Sequence, residues 1–353
     1  MGAARTGRSR VLRTLAVLAV SLVLGALVAG AAWIRPAFTP PIAGANSIAE
    51  LEPVTLGGAR QWILIRGADK TKPVVLFLHG GPGAALVGLS HRFQTGLEQD
   101  FVVVQWDRRG AGKSFGEALD PASLKSSQEL ADAVELIGVL RHKLGAERVI
   151  LVGQDDGATL GAALAQAHPE LVRALVAVGM TSCTPEDVHA IQDSWLRSRA
   201  ALVGDDRTAA LAGVGGNWDR GRALYRYGGV LAGHSTAWTL GVALATAPEY
   251  RLAEALNLGK GMALTRARLQ LDGPAQPLIR SIPAIHAPVF FMLGRHDYVS
   301  PTICTERYAD LVQAPLSREI WFEHSAHYPF LEEPKAFRRA LDDVAIATTA
   351  PWG

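Results

Sequence analysis

Residues 148–167 read RVILVGQDDGATLGAALAQA, and this stretch decides how the rest of the chain is read. Arg148 to Val152 is a short, nearly continuous apolar run, the pattern of a strand buried on both faces. Gly153-Gln154-Asp155-Asp156-Gly157 interrupts it, and Ala158 to Ala167 continues as a helix of small residues. A strand, a sharp turn and a helix in that order form a nucleophile elbow, whose usual sequence is GxSxG. Glycines suit positions 153 and 157 because the turn is strained and the helix packs close to the strand. Asp155 occupies the position of the serine, where the start of a helix also favours a negative group. A purely structural capping aspartate is the competing reading of the same residue.

Working outward, Val54 to Arg66 holds two short apolar segments around Gly57-Gly58 and predicts a β-hairpin. Val74 to Leu78, Phe101 to Trp106, Ala174 to Val178, Val289 to Leu293 and Glu319 to Phe322 repeat the buried-strand pattern. Helical stretches separate them. The clearest runs from Ser127 to Leu144, with Ser126 and Glu129 spaced as a capping box and Gly145 just past its end. This alternation predicts an α/β fold, a mostly parallel sheet with helices on both faces. Residues 181–285 contain no convincing strand, and Thr184-Pro185-Glu186-Asp187 carries the signals of a helix start. They are expected to form a helical cap over the sheet's C-terminal edge, where open α/β sheets place their ligands. The core is then divided into residues 49–180 and 286–353.

Two further motifs follow strands: His79-Gly80-Gly81-Pro82-Gly83 after Val74 to Leu78, and Asp107-Arg108-Arg109-Gly110-Ala111-Gly112-Lys113-Ser114 after Phe101 to Trp106. With these the chain resembles the α/β-hydrolase superfamily over about residues 50–345, in its proline iminopeptidase and epoxide hydrolase branch, which carries HGGPG or HGxP and then DxRGxGxS. The resemblance implies an oxyanion hole made by the backbone N–H groups of Gly81 and Asp156. It assigns His79, Asp107 and Ser114 to structural hydrogen bonding within their loops. It also implies an acid and then a histidine later in the chain. Asp297 follows the strand Val289 to Leu293, and Ser325-Ala326-His327 stands where the family has SGH. Asp155, Asp297 and His327 are therefore the expected catalytic set, with His296 and His324 as surface histidines beside it.

Chemistry narrows what an aspartate could do there. A carboxylate attacking an amide or ester carbonyl gives a high-energy anhydride, whereas displacement at a saturated carbon gives a stable alkyl ester. Water activated by His327 would then attack the ester carbonyl held in the oxyanion hole. Epoxide opening and carbon–halogen cleavage both fit. Asp156 would repel a departing halide, and epoxide hydrolases supply acid from cap tyrosines, for which Tyr225, Tyr227 and Tyr250 are the candidates. Epoxide hydrolysis of a small organic substrate is the leading expectation. A proline iminopeptidase-like hydrolase, a dehalogenase, and a binding protein with a degenerate site stay open. Against the iminopeptidase stand the missing serine and the lack of its acidic, tryptophan-rich cap segment, of which Trp218-Asp219 is a faint echo.

Composition excludes other classes. With 353 residues, 49% hydrophobic and 19% charged, the chain can bury a large core, and a formal charge of +2 gives no basis for binding nucleic acid. Cys183 and Cys304 are isolated in sequence, so no metal-binding cysteine motif is present, and neither metal nor cofactor is expected. Residues 15–34 form an uninterrupted apolar run preceded by Arg5, Arg8, Arg10 and Arg13. That predicts an N-terminal transmembrane helix within residues 1–36, a linker over 37–48, and a membrane-anchored, extracytoplasmic catalytic domain. Cleavage near Ala29-Gly30-Ala31 would instead make the protein secreted. Either export route leaves a Cys183–Cys304 bridge open.

Overall fold

The computed structural model describes residues 17–25, 30, 36–116, 119–212, 219–233, 237–272 and 276–349. The chain enters its sheet through a hairpin. Strands β1 (Ile48–Leu56) and β2 (Ala59–Gly67) pair antiparallel, with Leu56 opposite Ala59. The two turn residues, Gly57 and Gly58, have φ of 52° and 73°, which fits the tight primed turns that glycine favours. The hairpin begins at Ile48, earlier than the sequence pattern suggested.

Six parallel strands follow: β3 (Val74–Leu78), β4 (Val102–Asp107), β5 (Val149–Gln154), β6 (Val172–Val178), β7 (Val289–Gly294) and β8 (Ser317–Phe322). The order across the sheet is β1-β2-β4-β3-β5-β6-β7-β8, with β2 antiparallel to β4. Continuous apolar runs are explained by burial on both faces. Leu76, Leu78, Leu151 and Phe291 pack on one side, and Val75, Phe77, Val152 and Met292 on the other. Each such side chain contributes roughly 1.5–3 kcal/mol on full burial.

Helices α1 (Ser126–Leu144) and α2 (Asp156–Ala167) cover the first face through Leu136, Ile137, Leu160 and Leu164. Gly145 ends α1 in the left-handed conformation, as expected. The capping box is not formed. Lys125 is the N-cap without a side-chain cap bond, and Glu129 is instead buried beside Arg108. Between β6 and β7 the described residues form helices and no strand. The longer ones are α3 (Pro185–Leu202), α4 (Ala237–Thr246) and α5 (Leu252–Asp272). Thr184 caps α3 by accepting from the Asp187 N–H at 3.2 Å. Helix α6 (Thr302–Leu311) follows β7, and α7 (Pro334–Ala347) follows β8 and packs Phe337 and Leu341 onto the second face.

The membrane expectation is corrected. Residues 17–25 are helical. Among the described residues no helix is long and apolar enough to cross a membrane. That finding overturns the anchored, extracytoplasmic placement; residues 15–16, 26–29 and 31–34 of the run, with Ala29 and Ala31, lie outside the described residues.

Candidate active site

Gly153 and Gly157 allow the turn after β5. A Cβ on Gly153 would overlap the backbone of Ala158, and one on Gly157 would overlap the carbonyl oxygen of Leu78. Between them Asp155 has φ 55° and ψ −122°, and among the described residues it is the one non-glycine with positive φ. Such backbone strain persists only where surrounding packing imposes it, and it concentrates at functional sites. The strain lifts the Asp155 side chain above the sheet.

Each oxygen of Asp155 has its own partners. Oδ2 accepts from the Gly81 N–H at 2.8 Å, while Oδ1 accepts from Thr181 Oγ1 at 2.5 Å and Ser300 Oγ at 3.4 Å. One carboxylate oxygen therefore sits on the backbone donor that was expected in an oxyanion hole. The Asp156 carboxylate is paired with the buried Arg108, whose Nη2 donates to Oδ2 at 2.5 Å.

Asp297 and His327 come together from the ends of β7 and β8. Nδ1 of His327 donates to Asp297 Oδ2 at 2.8 Å, and Asp297 Oδ1 accepts the N–H groups of Val299 and Ser300. Gln154 Oε1 accepts from the Gly80 N–H at 3.1 Å, which turns its amide nitrogen toward His327 Nε2, 2.6 Å away. The lone pair of the imidazole thus faces Gln154 rather than Asp155. Burial is the largest influence on His327 and pushes its pKa down. Asp297, by charge and hydrogen bond, reverses this and leaves it above the usual value, with Asp155 and Glu332 adding to the rise.

The cap tyrosines separate. Tyr250 is corrected as a candidate, because it is 1% exposed and its hydroxyl is held by both oxygens of Asp107 at 3.1 and 2.9 Å. Tyr227 donates to Asp205 at 2.7 Å, within the helical segment. Tyr225 packs in one cluster with Tyr328, whose ring stands edge-on to His327 with centroids 4.9 Å apart. His296 and His324 are exposed, as expected of bystanders. His79 accepts the Arg108 N–H on Nε2, and burial holds its pKa well below the usual histidine value. Asp107 accepts the Lys113 N–H at 2.8 Å, and Ser114 Oγ donates to the Asp107 carbonyl. Trp218 lies outside the described residues. Thr181, Ser300, Gln154, Arg108 and Tyr328 were missed, and only Gln154 and Tyr328, adjoining Asp155 and His327, carried a signal in position.

Asp156 is pushed up to about 6, first by burial and then by Asp155, against the opposing pull of Arg108. Burial likewise pushes Glu129 and Asp107 up to about 7. A carboxyl with a raised folded-state pKa binds more protons when folded, so its contribution to stability is full below about pH 4 and is lost as pH rises through about 7. The melting temperature should carry a downward component across that window, and Glu129→Gln should flatten it. An identical pH slope in that variant would show that Glu129 is ionised throughout. Asp156, with a side chain 26% exposed, should contribute less.

Among the described residues no group of His, Cys, Asp or Glu is arranged to hold a metal ion. The sheet order and the strained turn after β5 define a hydrolase of the α/β type. The chain belongs to the alpha/beta hydrolase fold family, whose model matches residues 73–334. It is 27% identical over 306 residues to a probable aminopeptidase, YbaC, of Bacillus subtilis, covering 84% of this chain and 96% of the relative. It is 28% identical over 286 residues to a proline iminopeptidase of Neisseria gonorrhoeae, covering 76% and 88%. Among solved structures it is similar to a proline iminopeptidase of Mycobacterium smegmatis, with TM-score 0.60, 18% identity and coverage of 85% and 98%. The epoxide hydrolase CorEH gives TM-score 0.58 at 16% identity, covering 85% and 99%. At those identities the structural likenesses establish the fold alone. The sequence relatives favour the aminopeptidase side of the branch over the epoxide hydrolase side, which corrects the order of the two expectations.

Proposed function

We propose that the protein is an α/β hydrolase in which Asp155 stands at the serine position of the elbow and carries the covalent intermediate. The observation behind this is the seating of Asp155, with Oδ2 on the Gly81 N–H and Oδ1 directed toward the hydroxyls of Thr181 and Ser300. In that pose Oδ1 attacks a saturated, electrophilic carbon and the leaving group departs with the bonding pair. The ester carbonyl oxygen, formerly Oδ2, already lies on a donor. Neutral His327, its Nδ1 proton held by Asp297, then takes a proton from a water that displaces the Gln154 amide. The water oxygen attacks the Asp155 carbonyl, the ester C–O bond breaks, and the imidazolium of His327 gives its proton to the departing alkoxide to release an alcohol. This chemistry suits an epoxide or a related alkylating substrate.

A second reading keeps the relatives' substrate class, an aminoacyl compound, and makes water the nucleophile with Asp155 as an electrostatic or basic partner. The chain-long similarity to aminopeptidases favours it. The retained Asp297–His327 pair, hydrogen-bonded at 2.8 Å, weighs against a degenerate binding site. One experiment separates the first two. A panel of epoxides, haloalkanes and aminoacyl anilides identifies a substrate, and a single turnover in oxygen-18 water follows. The proposal expects label in the Asp155 peptide and unlabelled first product. Label in the first product with none in Asp155 would establish direct attack by water.

A further inference from the structure

The geometry points to Thr181 and Ser300 as positioning residues for Asp155, with the Cys183–Cys304 disulfide as the staple that holds their hydroxyls at its outer oxygen. The inference deepens the reading of Asp155 as nucleophile and rests on it. Thr181 lies on the segment leaving β6, and Ser300 on the loop between Asp297 and α6. Both hydroxyls reach Asp155 Oδ1, at 2.5 and 3.4 Å, and they lie 3.3 Å from each other. The N–H of Ser300 also binds Asp297 Oδ1 at 3.0 Å, so the acid that orients His327 and the hydroxyl that holds Asp155 share one short loop.

These two segments are far apart in sequence. Cys183 follows Thr181 by two positions, Cys304 follows Ser300 by four, and they are joined by a disulfide across a sequence separation of 121. Thr305 Oγ1 adds a bond to the Met180 carbonyl at 3.1 Å. Thr181 is exposed and precedes the first residue of α3, and Thr159 Oγ1 of α2 donates to its carbonyl at 3.3 Å while the Leu278 N–H donates to the Ser182 carbonyl at 2.9 Å. The cross-link adds the covalent tie between this segment and the helix that follows Ser300.

A carboxylate rotates readily about its terminal torsion. The Gly81 N–H alone would hold Oδ2 and leave Oδ1 free to swing. The hydroxyl pair closes that freedom and keeps Oδ1 aimed at the cleft, the kind of preorganisation from which near-attack geometry derives its rate advantage. A hydroxyl also withdraws charge from the oxygen it binds, which by itself would slow attack. The two effects have opposite signs, so removing the hydroxyl reveals which dominates. Positioning predicts a fall in rate.

The test uses the full chain carrying His327→Gln, so that an alkyl ester accumulates, and the carboxylate-alkylating probe 1,2-epoxy-3-(4-nitrophenoxy)propane. The rate of adduct formation on the Asp155 peptide is read by mass spectrometry. Thr181→Val should slow it about tenfold, from the value of a hydrogen bond to a charged group. Thr181→Ser should restore the rate. Cys183→Ala with Cys304→Ala should slow it comparably, and Thr181→Val added to that pair should cost nothing further, because the staple acts through Thr181. Reduction of the otherwise unchanged protein by a phosphine supplies the same comparison should the double variant fold poorly. A Thr181→Val rate at or above the parent, or losses that multiply, would overturn the inference.

Absence of any adduct on Asp155 would sink the nucleophile reading instead. The staple is then judged by the carbon-13 carboxyl resonance of Asp155 in aspartate-labelled protein, identified by its loss in Asp155→Asn. A shift of that resonance both in Thr181→Val and on reduction supports the staple. A resonance that stays in place in either overturns it.

Discussion

Asp155→Asn is expected to stop turnover, with kcat reduced on the order of 10⁴-fold or more, as when the nucleophile is removed from a catalytic set that acts as a unit. The amide has nearly the shape of the carboxylate and its oxygen can still accept the Gly81 N–H, now 2.8 Å from Oδ2. The fold should therefore survive, with a melting temperature close to that of the parent. What is lost is the charge and the lone pair that attacks carbon. The measurement is kcat on the best substrate from the panel, with intact mass confirming that the asparagine has not deamidated. Retention of a tenth or more of the parent rate would exclude Asp155 as nucleophile.

Gly157→Ala should produce one of the largest losses of stability of any single-methyl addition near the site. Its Cβ would overlap the carbonyl oxygens of Leu78 and His79, which are backbone atoms at the end of the central strand β3. β3 is hydrogen-bonded to β4 on one side and β5 on the other, so it has no direction in which to yield. Overpacking against fixed backbone costs about 3 kcal/mol or more, which corresponds to a melting point lower by about 4 °C or more in a protein of this size. Gly138→Ala is the internal control. Gly138 lies mid-way along α1, where an added Cβ meets nothing within 4 Å, and alanine there should leave the melt unchanged or raise it slightly. A Gly157→Ala protein melting within a degree or two of the parent would show that the elbow has room its packing denies.

Much of this architecture was legible in the chain, for local reasons. A strand buried on both faces must be apolar throughout, so Val74 to Leu78 and Val289 to Leu293 could be read directly, and both are strands with these residues. The turn at 153–157 was legible because a helix packed against its own strand leaves no space for a side chain, and glycine meets that requirement. A pairing of Asp297 with His327 was expected from their places after strands, and the structure brings the two within a hydrogen bond of each other. Glu129 misled, because its spacing from Ser126 satisfied a local rule while a buried guanidinium, distant in sequence, claimed its carboxylate. The apolar run at 15–34 raised an expectation that was overturned, because among the described residues no helix is long and apolar enough to cross a membrane.

Sequence by itself determined the class of fold, the strand-to-helix turn and the residue type at its apex, because backbone sterics and apolar periodicity act over a few neighbouring positions. Only the tertiary structure decided which oxygen of Asp155 meets Gly81, that Asp156 pairs with Arg108, that Tyr250 is held by Asp107 rather than available to a substrate, and that Thr181 and Ser300 converge on one atom. Each of these is a contact between segments tens to more than a hundred residues apart. Nothing in the local chain encodes such a distance; it is set when the sheet orders its strands and brings their C-terminal ends to one edge.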